Sequence, residues 1–174
     1  MLPYLFIFFG AAFRLIPHPD NFAPIAAIAL FGGVYLSKKE ALWLPLLAMV
    51  LSDIFIGFDS FSSRLTVYGS FMLISLIGLL VRRRKNLATV LGGSVLGSLA
   101  FYLITNFAFF YAPIMYPHNW QGVFQSYINA LPFFRNTLLG DLFYVGVLFG
   151  AYEFATYLAA KRKSKQWSSS PLSE

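Results

Sequence analysis

The sequence predicts an all-α protein, a polytopic membrane helix bundle of about six transmembrane segments within one domain. Three observations predict it. Hydrophobic residues make up 58% of the chain and charged residues 11%, against about 45–50% and about 25% in soluble domains. The apolar residues gather into six runs. Basic residues cluster just beyond the ends of those runs. Twenty phenylalanines and ten tyrosines are more than a core of this size can bury, so lipid is expected to solvate much of the surface.

The runs are 2–13, 22–36, 41–58, 67–81, 87–111 and 137–160. Crossing about 30 Å of hydrocarbon takes about 20 helical residues. The fifth and sixth runs meet that length and the third nearly does. The first, second and fourth are short, as expected for tilted neighbours, broken helices or re-entrant pieces lining a cavity. The first run lacks a basic leading region, and Arg14 follows it where small cleavage-site residues would stand. Met1 is therefore expected to be the mature start. The segment 161–174 is basic, polar and low in complexity, and is expected to be a disordered tail.

Between the fifth and sixth runs lies 112–136, APIMYPHNWQGVFQSYINALPFFRN. Pro113, Pro117 and Gly122 break structure, while 122–131 has room for two to three helical turns. Its aromatic residues fit a membrane interface. A lid over a binding pocket is the alternative.

Net charge is +6, with ten of the thirteen basic residues in three clusters: Lys38 and Lys39; Arg82, Arg83, Arg84 and Lys85; Lys161, Arg162, Lys163 and Lys165. Each cluster follows an apolar run, which is the pattern of cytoplasmic loops and not of a nucleic-acid surface. The predicted location is the bacterial plasma membrane, multi-pass, with membrane lipid as a partner and the carboxyl terminus in the cytoplasm. The chain has no cysteine, which excludes disulfides and thiolate metal sites.

On that topology the intramembrane polar residues converge on the outer half. Arg14 ends the first run, Asn21 begins the second, and Asp53 lies near the outer end of the third. Asn106 occupies the matching depth on the fifth, and Arg135 and Asp141 open the sixth. A carboxylate at mid-membrane costs about 2.5–3.5 kcal/mol on insertion scales, less towards the interface. Arg14 with Asp20 or Asp53, and Arg135 with Asp141, are candidate pairs. Helix caps and rim salt bridges would explain each residue singly; as a set they outline a solute pocket. In that pocket Arg14 and Arg135 are expected to hold anionic groups, with Asn21 and Asn106 hydrogen bonding in both directions. Asp53 would orient a donor, and Tyr68, Phe107, Trp120 and Phe134 would stack on a ring. Glu153 lies deeper and is expected to pair with Lys85 or Arg84, or to meet a cytoplasmic partner.

No catalytic set is legible, and the chain is not expected to be an enzyme. Its two histidines, His18 and His118, stand in proline-flanked outer loops without helical ligand spacing. No nucleophile elbow and no phosphate-binding loop occurs, so no cofactor is expected. Gly93 and Gly97, then Gly146 and Gly150, stand four apart, as do Ala151, Ala155 and Ala159. That spacing lets helices approach closely, within the bundle or against a partner.

RLIPHPDNFAPIAAIALFGG, SDIFIG, TNF at 105–107, YP at 116–117 and ALPFFRNTLLGD occur in order. Across about residues 14–150 the chain resembles a bacterial family of uncharacterised membrane proteins described as transport proteins. That family is similar to the substrate-binding S components of energy-coupling factor (ECF) transporters. The resemblance implies a six-helix bundle that binds a small polar or vitamin-like solute near its outer face. It also implies docking on an ECF T component driven by ATPases. S components often carry an Ala-x-x-x-Ala on the first helix, which 2–13 lacks; the nearest instance is Ala23 with Ala27. The competing expectation is a structural or assembly subunit of a membrane complex with no solute site.

Overall fold

The computed structural model describes residues 1–110 and 115–168. Among them are six helices: α1 Leu2–Phe13, α2 Ile25–Tyr35, α3 Lys38–Ile56, α4 Phe61–Val81, α5 Leu87–Phe110 and α6 Trp120–Ser168, with a 3-10 turn at Arg82–Arg84. The all-α bundle expected from the sequence is what forms. Among the described residues, three helical stretches are long and apolar enough to cross a membrane: Phe61–Arg84, Leu87–Phe107 and Trp120–Arg162. Leu2–Phe13 and Ile25–Tyr35 are shorter apolar helices.

The short second helix is the centre of the molecule. Helix α2 packs against α1, α3, α4, α5 and α6, and every residue from Ile25 to Val34 is buried. A helix that is apolar on every face must be enclosed on every side, and the IAAIALFGGV sequence meets that demand. Its small residues let neighbours approach. A Cβ on Gly33 would collide with the Ser75 carbonyl and the Gly78 backbone, and a Cβ on Gly78 would lie 2.9 Å from Gly33 Cα. Two glycines thus face each other where α2 and α4 cross. Beside them, Phe31 packs edge-on to Phe149 at 5.3 Å and to Tyr152 at 5.3 Å, joining α2 to α6.

Polarity is distributed as lipid solvation requires. Leu65, Leu80, Leu96, Phe143 and Phe154 are exposed, whereas Ser70, Ser75, Ser94 and Ser98 are buried. Ser70, Ser75 and Ser98 each donate their hydroxyl to the carbonyl one turn earlier, at 2.8, 3.1 and 3.0 Å. Those bonds satisfy the group inside the bundle.

Helix boundaries depart from the sequence expectation for local reasons. Helix α3 begins at Lys38, not 41, because Ser37 and Glu40 form a capping box: Ser37 Oγ accepts from Glu40 N at 3.4 Å and Glu40 Oε2 from Ser37 N at 3.1 Å. Helix α4 begins at Phe61, not 67, because Ser60 Oγ caps Ser63 N at 3.2 Å. The polar Ser62, Ser63 and Arg64 hid that first turn. Helix α6 absorbs most of the expected loop. It starts at Trp120, where Asn119 Oδ1 accepts from Gly122 N at 2.9 Å, and runs through Pro132. Proline removes one hydrogen bond, a loss that packed membrane helices tolerate. At its other end α6 continues to Ser168, so 161–168 of the expected tail is helical. The expected break at Pro113 and the tail residues 169–174 lie outside the described residues.

The two ends of the bundle differ in chemistry. At one end Arg82 Nη1 donates to the Leu36 carbonyl at 2.7 Å, and Lys85 pairs with Glu153 at 2.5 Å. Tyr4 OH bonds Glu40 Oε1 at 2.7 Å at this same basic end, whereas Arg14, at the far end of α1, reaches Asp53. Helix α1 therefore runs beside α3 over the depth from Glu40 to Asp53. The opposite end holds the α1–α2 connection, the 57–60 turn and the first turns of α6.

Candidate solute cavity

The polar end is organised by Arg14, the residue that caps the last turn of α1. Its Nη1 donates to the Met49 carbonyl, Ser52 Oγ and Asp53 Oδ1. Asp53 is 6% exposed and also accepts from Tyr68 OH at Oδ2, at 2.5 Å. A buried carboxylate without a cation would be costly, and here three helices converge to satisfy one. Of the two candidate partners for Arg14, the fold selects Asp53.

The HPDNFAP stretch then turns the chain back into α2. Phe22 N bonds the Pro19 carbonyl at 2.9 Å, and Asn21 takes a left-handed conformation, φ 61°, which asparagine tolerates better than most residues. Asn136 Nδ2 donates to the Asp20 carbonyl at 3.1 Å, tying this turn to α6. The first turns of α6 fold over α5. Tyr102 OH donates to the Tyr127 carbonyl at 2.7 Å and Tyr127 OH to the Leu103 carbonyl at 2.9 Å.

Beneath that cover lies a cavity of about 390 Å³, within the range of small-molecule sites. Asn21, Thr105, Asn106, Ser126, Asn129 and Thr137 supply polar groups to its wall. Phe101, Tyr102, Phe133 and Phe134 supply rings, and Asp59 stands at its edge. Asp59 accepts from Ser63 Oγ at 2.6 Å and Ser60 N at 2.7 Å. Those bonds, the hydroxyl foremost, hold its carboxyl below the usual range. A second cavity of about 210 Å³ adjoins the first, since Asn21, Val67, Phe101 and Thr137 line both. Arg14 and Asp141 are among its further walls. Asp141 is 3% exposed and accepts from Ser98 Oγ at 2.6 Å.

Of the residues expected from the sequence, Asn21, Asn106 and Phe134 line the larger cavity, and Arg14, Asn21 and Asp141 the smaller. Phe134 packs on Tyr102 with ring centroids 4.7 Å apart. Asp53 and Tyr68 lie behind Arg14 as its supports. Arg135 and Trp120 are exposed and line neither cavity. Phe107 faces a shallow groove with Leu65, Leu103 and Tyr127 on the outside of the bundle. The expected Arg135–Asp141 pair does not form, because Asp141 turns to Ser98 on α5. Of its candidate partners Lys85 and Arg84, Glu153 pairs with Lys85, and it also accepts from Tyr35 OH at 2.5 Å.

Sequence reasoning missed Ser98, Tyr102, Thr105, Ser126, Asn129 and Thr137. A signal existed on α5, where Ser94, Ser98, Tyr102 and Asn106 recur every four residues along one face. Ser126 and Asn129 fall within 122–131, where the sequence has room for two to three helical turns and a lid, but no spacing there marks which side chains face a cavity. Among the described residues, no group of three or more His, Asp or Glu side chains could hold a metal ion.

The chain belongs to the family described as Family of unknown function (DUF6580), whose match covers residues 1–166. No curated protein and no solved structure matches it.

Proposed function

We propose that this DUF6580 member is an integral membrane solute-binding transport protein of the S-component type, taking up a small polar or vitamin-like compound from the outer face. The single observation that carries the reading is the cavity of about 390 Å³ at the end of the bundle opposite the basic clusters. Its wall combines amides, hydroxyls and ring faces, the mixture expected of a site that orients a small ring-bearing solute. The helical cover at 120–136 keeps it within the bundle, tied to α5 by Tyr102 and Tyr127.

The charge pattern supports an orientation with the basic end and the carboxyl terminus in the cytoplasm of a bacterial cell. The cavity then opens outward, and release inward requires the bundle to rearrange or tilt. The resemblance to ECF S components supports energising by a T component and ATPases. A surface feature favours a helical partner of that kind. Gly93 and Gly97 pack inside the bundle against Val81 and Ile74, but a Cβ on Gly92, Gly146 or Gly150 would meet nothing within 4 Å. The same open glycines favour the second reading, an assembly subunit held by partner helices.

The experiment is purification from membranes with bound compounds retained, release, and identification by mass spectrometry. Rebinding of the released compound is then measured with Asn106→Ala, Phe134→Ala and Arg135→Ala. Loss of about 0.5–1.5 kcal/mol is expected where the Asn106 amide contact is removed, a loss of similar size where Phe134 stacking is removed, and no change for the exposed Arg135. Equal rebinding by all three variants would sink the cavity assignment. Co-purification with a T component tests the coupling separately.

A further inference from the structure

Among the described residues, the two cavities are lined by more acidic than basic side chains. Arg14 is the basic side chain lining the two cavities, and its charge is matched by Asp53. Asp59 and Asp141 are the acidic ones. Asp59, at the edge, has Arg64 nearby; Arg64 lies over the Phe58 ring, 5.0 Å from its centroid, and lines neither cavity. Asp141, on the wall of the smaller cavity, has no basic partner among the described residues. Ser98 donates to its Oδ2, no described side chain donates to Oδ1, and neither ion pair among the described residues includes it.

We propose that the ligand is an organic cation, a compound with a positively charged N–H group on or beside an aromatic ring, and that its cation meets Asp141. The proposal rests on the solute-cavity reading above and narrows it. A carboxylate 3% exposed in a low-dielectric bundle is stabilised most by a cation that also donates hydrogen bonds. A protonated amine entering past Asn21 and Thr137, which line both cavities, does both. The larger cavity receives the ring: Phe101, Tyr102, Phe133 and Phe134 offer faces for stacking and for cation–π contact. Among the described residues, an anionic solute would find no unmatched positive charge on these walls, since Arg14 is committed to Asp53 and Arg135 lies outside them.

The test uses the full chain purified in detergent and two matched probe sets: tryptamine, tryptophol and indole-3-acetate, then phenethylamine, phenylethanol and phenylacetate. Within each set the ring is shared and the charge changes. Binding is read by thermal stabilisation and titration. The amines are expected to bind at least about ten-fold more tightly than the alcohols, as a charge-assisted hydrogen bond implies, and the acids more weakly still. Asp141→Asn, nearly isosteric, is expected to erase the amine preference.

Equal or tighter binding of the acids or alcohols overturns the proposal, as does a preference that survives Asp141→Asn or a failure of all six probes to bind. Stabilisation by sodium chloride over choline chloride that depends on Asp141 also overturns it, assigning the carboxylate to an inorganic ion. The ranking of probes on the unaltered protein needs no variant. The compound released from the native protein separates the two levels. A neutral or anionic compound that still requires Asn106 and Phe134 refutes the cation and keeps the cavity, whereas indifference to those residues removes the cavity itself.

Discussion

The Arg14 guanidinium and the Asp53 carboxylate form an ion pair that ties the end of α1 to the last turn of α3. Their side chains are 18% and 8% exposed, and Tyr68 and Ser52 complete the set. This pair fixes the rim of the smaller cavity.

Removing one partner leaves the other charge in the bundle. Arg14→Ala is expected to destabilise the protein by about 3 kcal/mol or more, as breaking a buried pair does. The apolar double replacement Arg14→Met with Asp53→Leu should cost less than the single change. Thermal unfolding in detergent measures both. A single variant as stable as the parent would show that the pair contributes nothing.

The α2–α4 crossing makes a second prediction. Gly33→Ala and Gly78→Ala each drive a Cβ into opposing backbone, and overpacking of this kind costs about 1–3 kcal/mol. Gly146→Ala, whose Cβ would meet nothing within 4 Å, should leave the isolated protein as stable as before. Melting temperatures of the three variants decide it. An effect of Gly146→Ala that appears only in native membranes would point to a helix packed there.

Lys85 and Glu153 stand at the basic end, with side chains 40% and 51% exposed. Water screens such a pair, so Glu153→Gln is expected to cost about 1 kcal/mol or less. It should leave solute affinity unchanged, because neither residue lines either cavity. A loss of binding in this variant would connect the basic end to the solute site.

Asp59 supplies a pH dependence with a definite sign. Ser63 and Ser60 hold its carboxyl below the usual range, so below about pH 4 the unfolded chain takes up its proton before the folded one does. The stabilisation is present above the usual carboxylate range and fades as pH falls through the lowered value. Asp59→Asn should flatten that part of the stability profile, measured by unfolding between neutral and acid pH. An unchanged profile would mean that the carboxylate makes no difference to the start of α4.

Much of the site was legible as residue types and little of it as geometry. Arg14, Asn21, Asn106, Phe134 and Asp141 stand out because polar or ring-bearing groups beside apolar runs need a reason. The sequence did not say that Arg14 would take Asp53 in preference to Asp20. Nor did it say that Asp141 would turn across to Ser98 and leave Arg135 outside. Local spacing places a residue on a helix, while the choice among partners depends on how separate helices cross.

The sequence by itself determined the helical class, the excess of apolar surface over any possible core, and the two chemically distinct ends. Those follow from composition and from charge at the ends of apolar runs, which act over a few residues. Tertiary structure decided that the short second run is the enclosed centre and that 120–136 is a helix folded over a cavity. It also decided that one buried carboxyl group there, Asp141, has no basic partner among the described residues. The physical reason is that enclosure, cover and charge balance belong to contacts between segments distant in sequence. Packing around α2, at the Gly33–Gly78 crossing and along α5 against α6 brings those segments together.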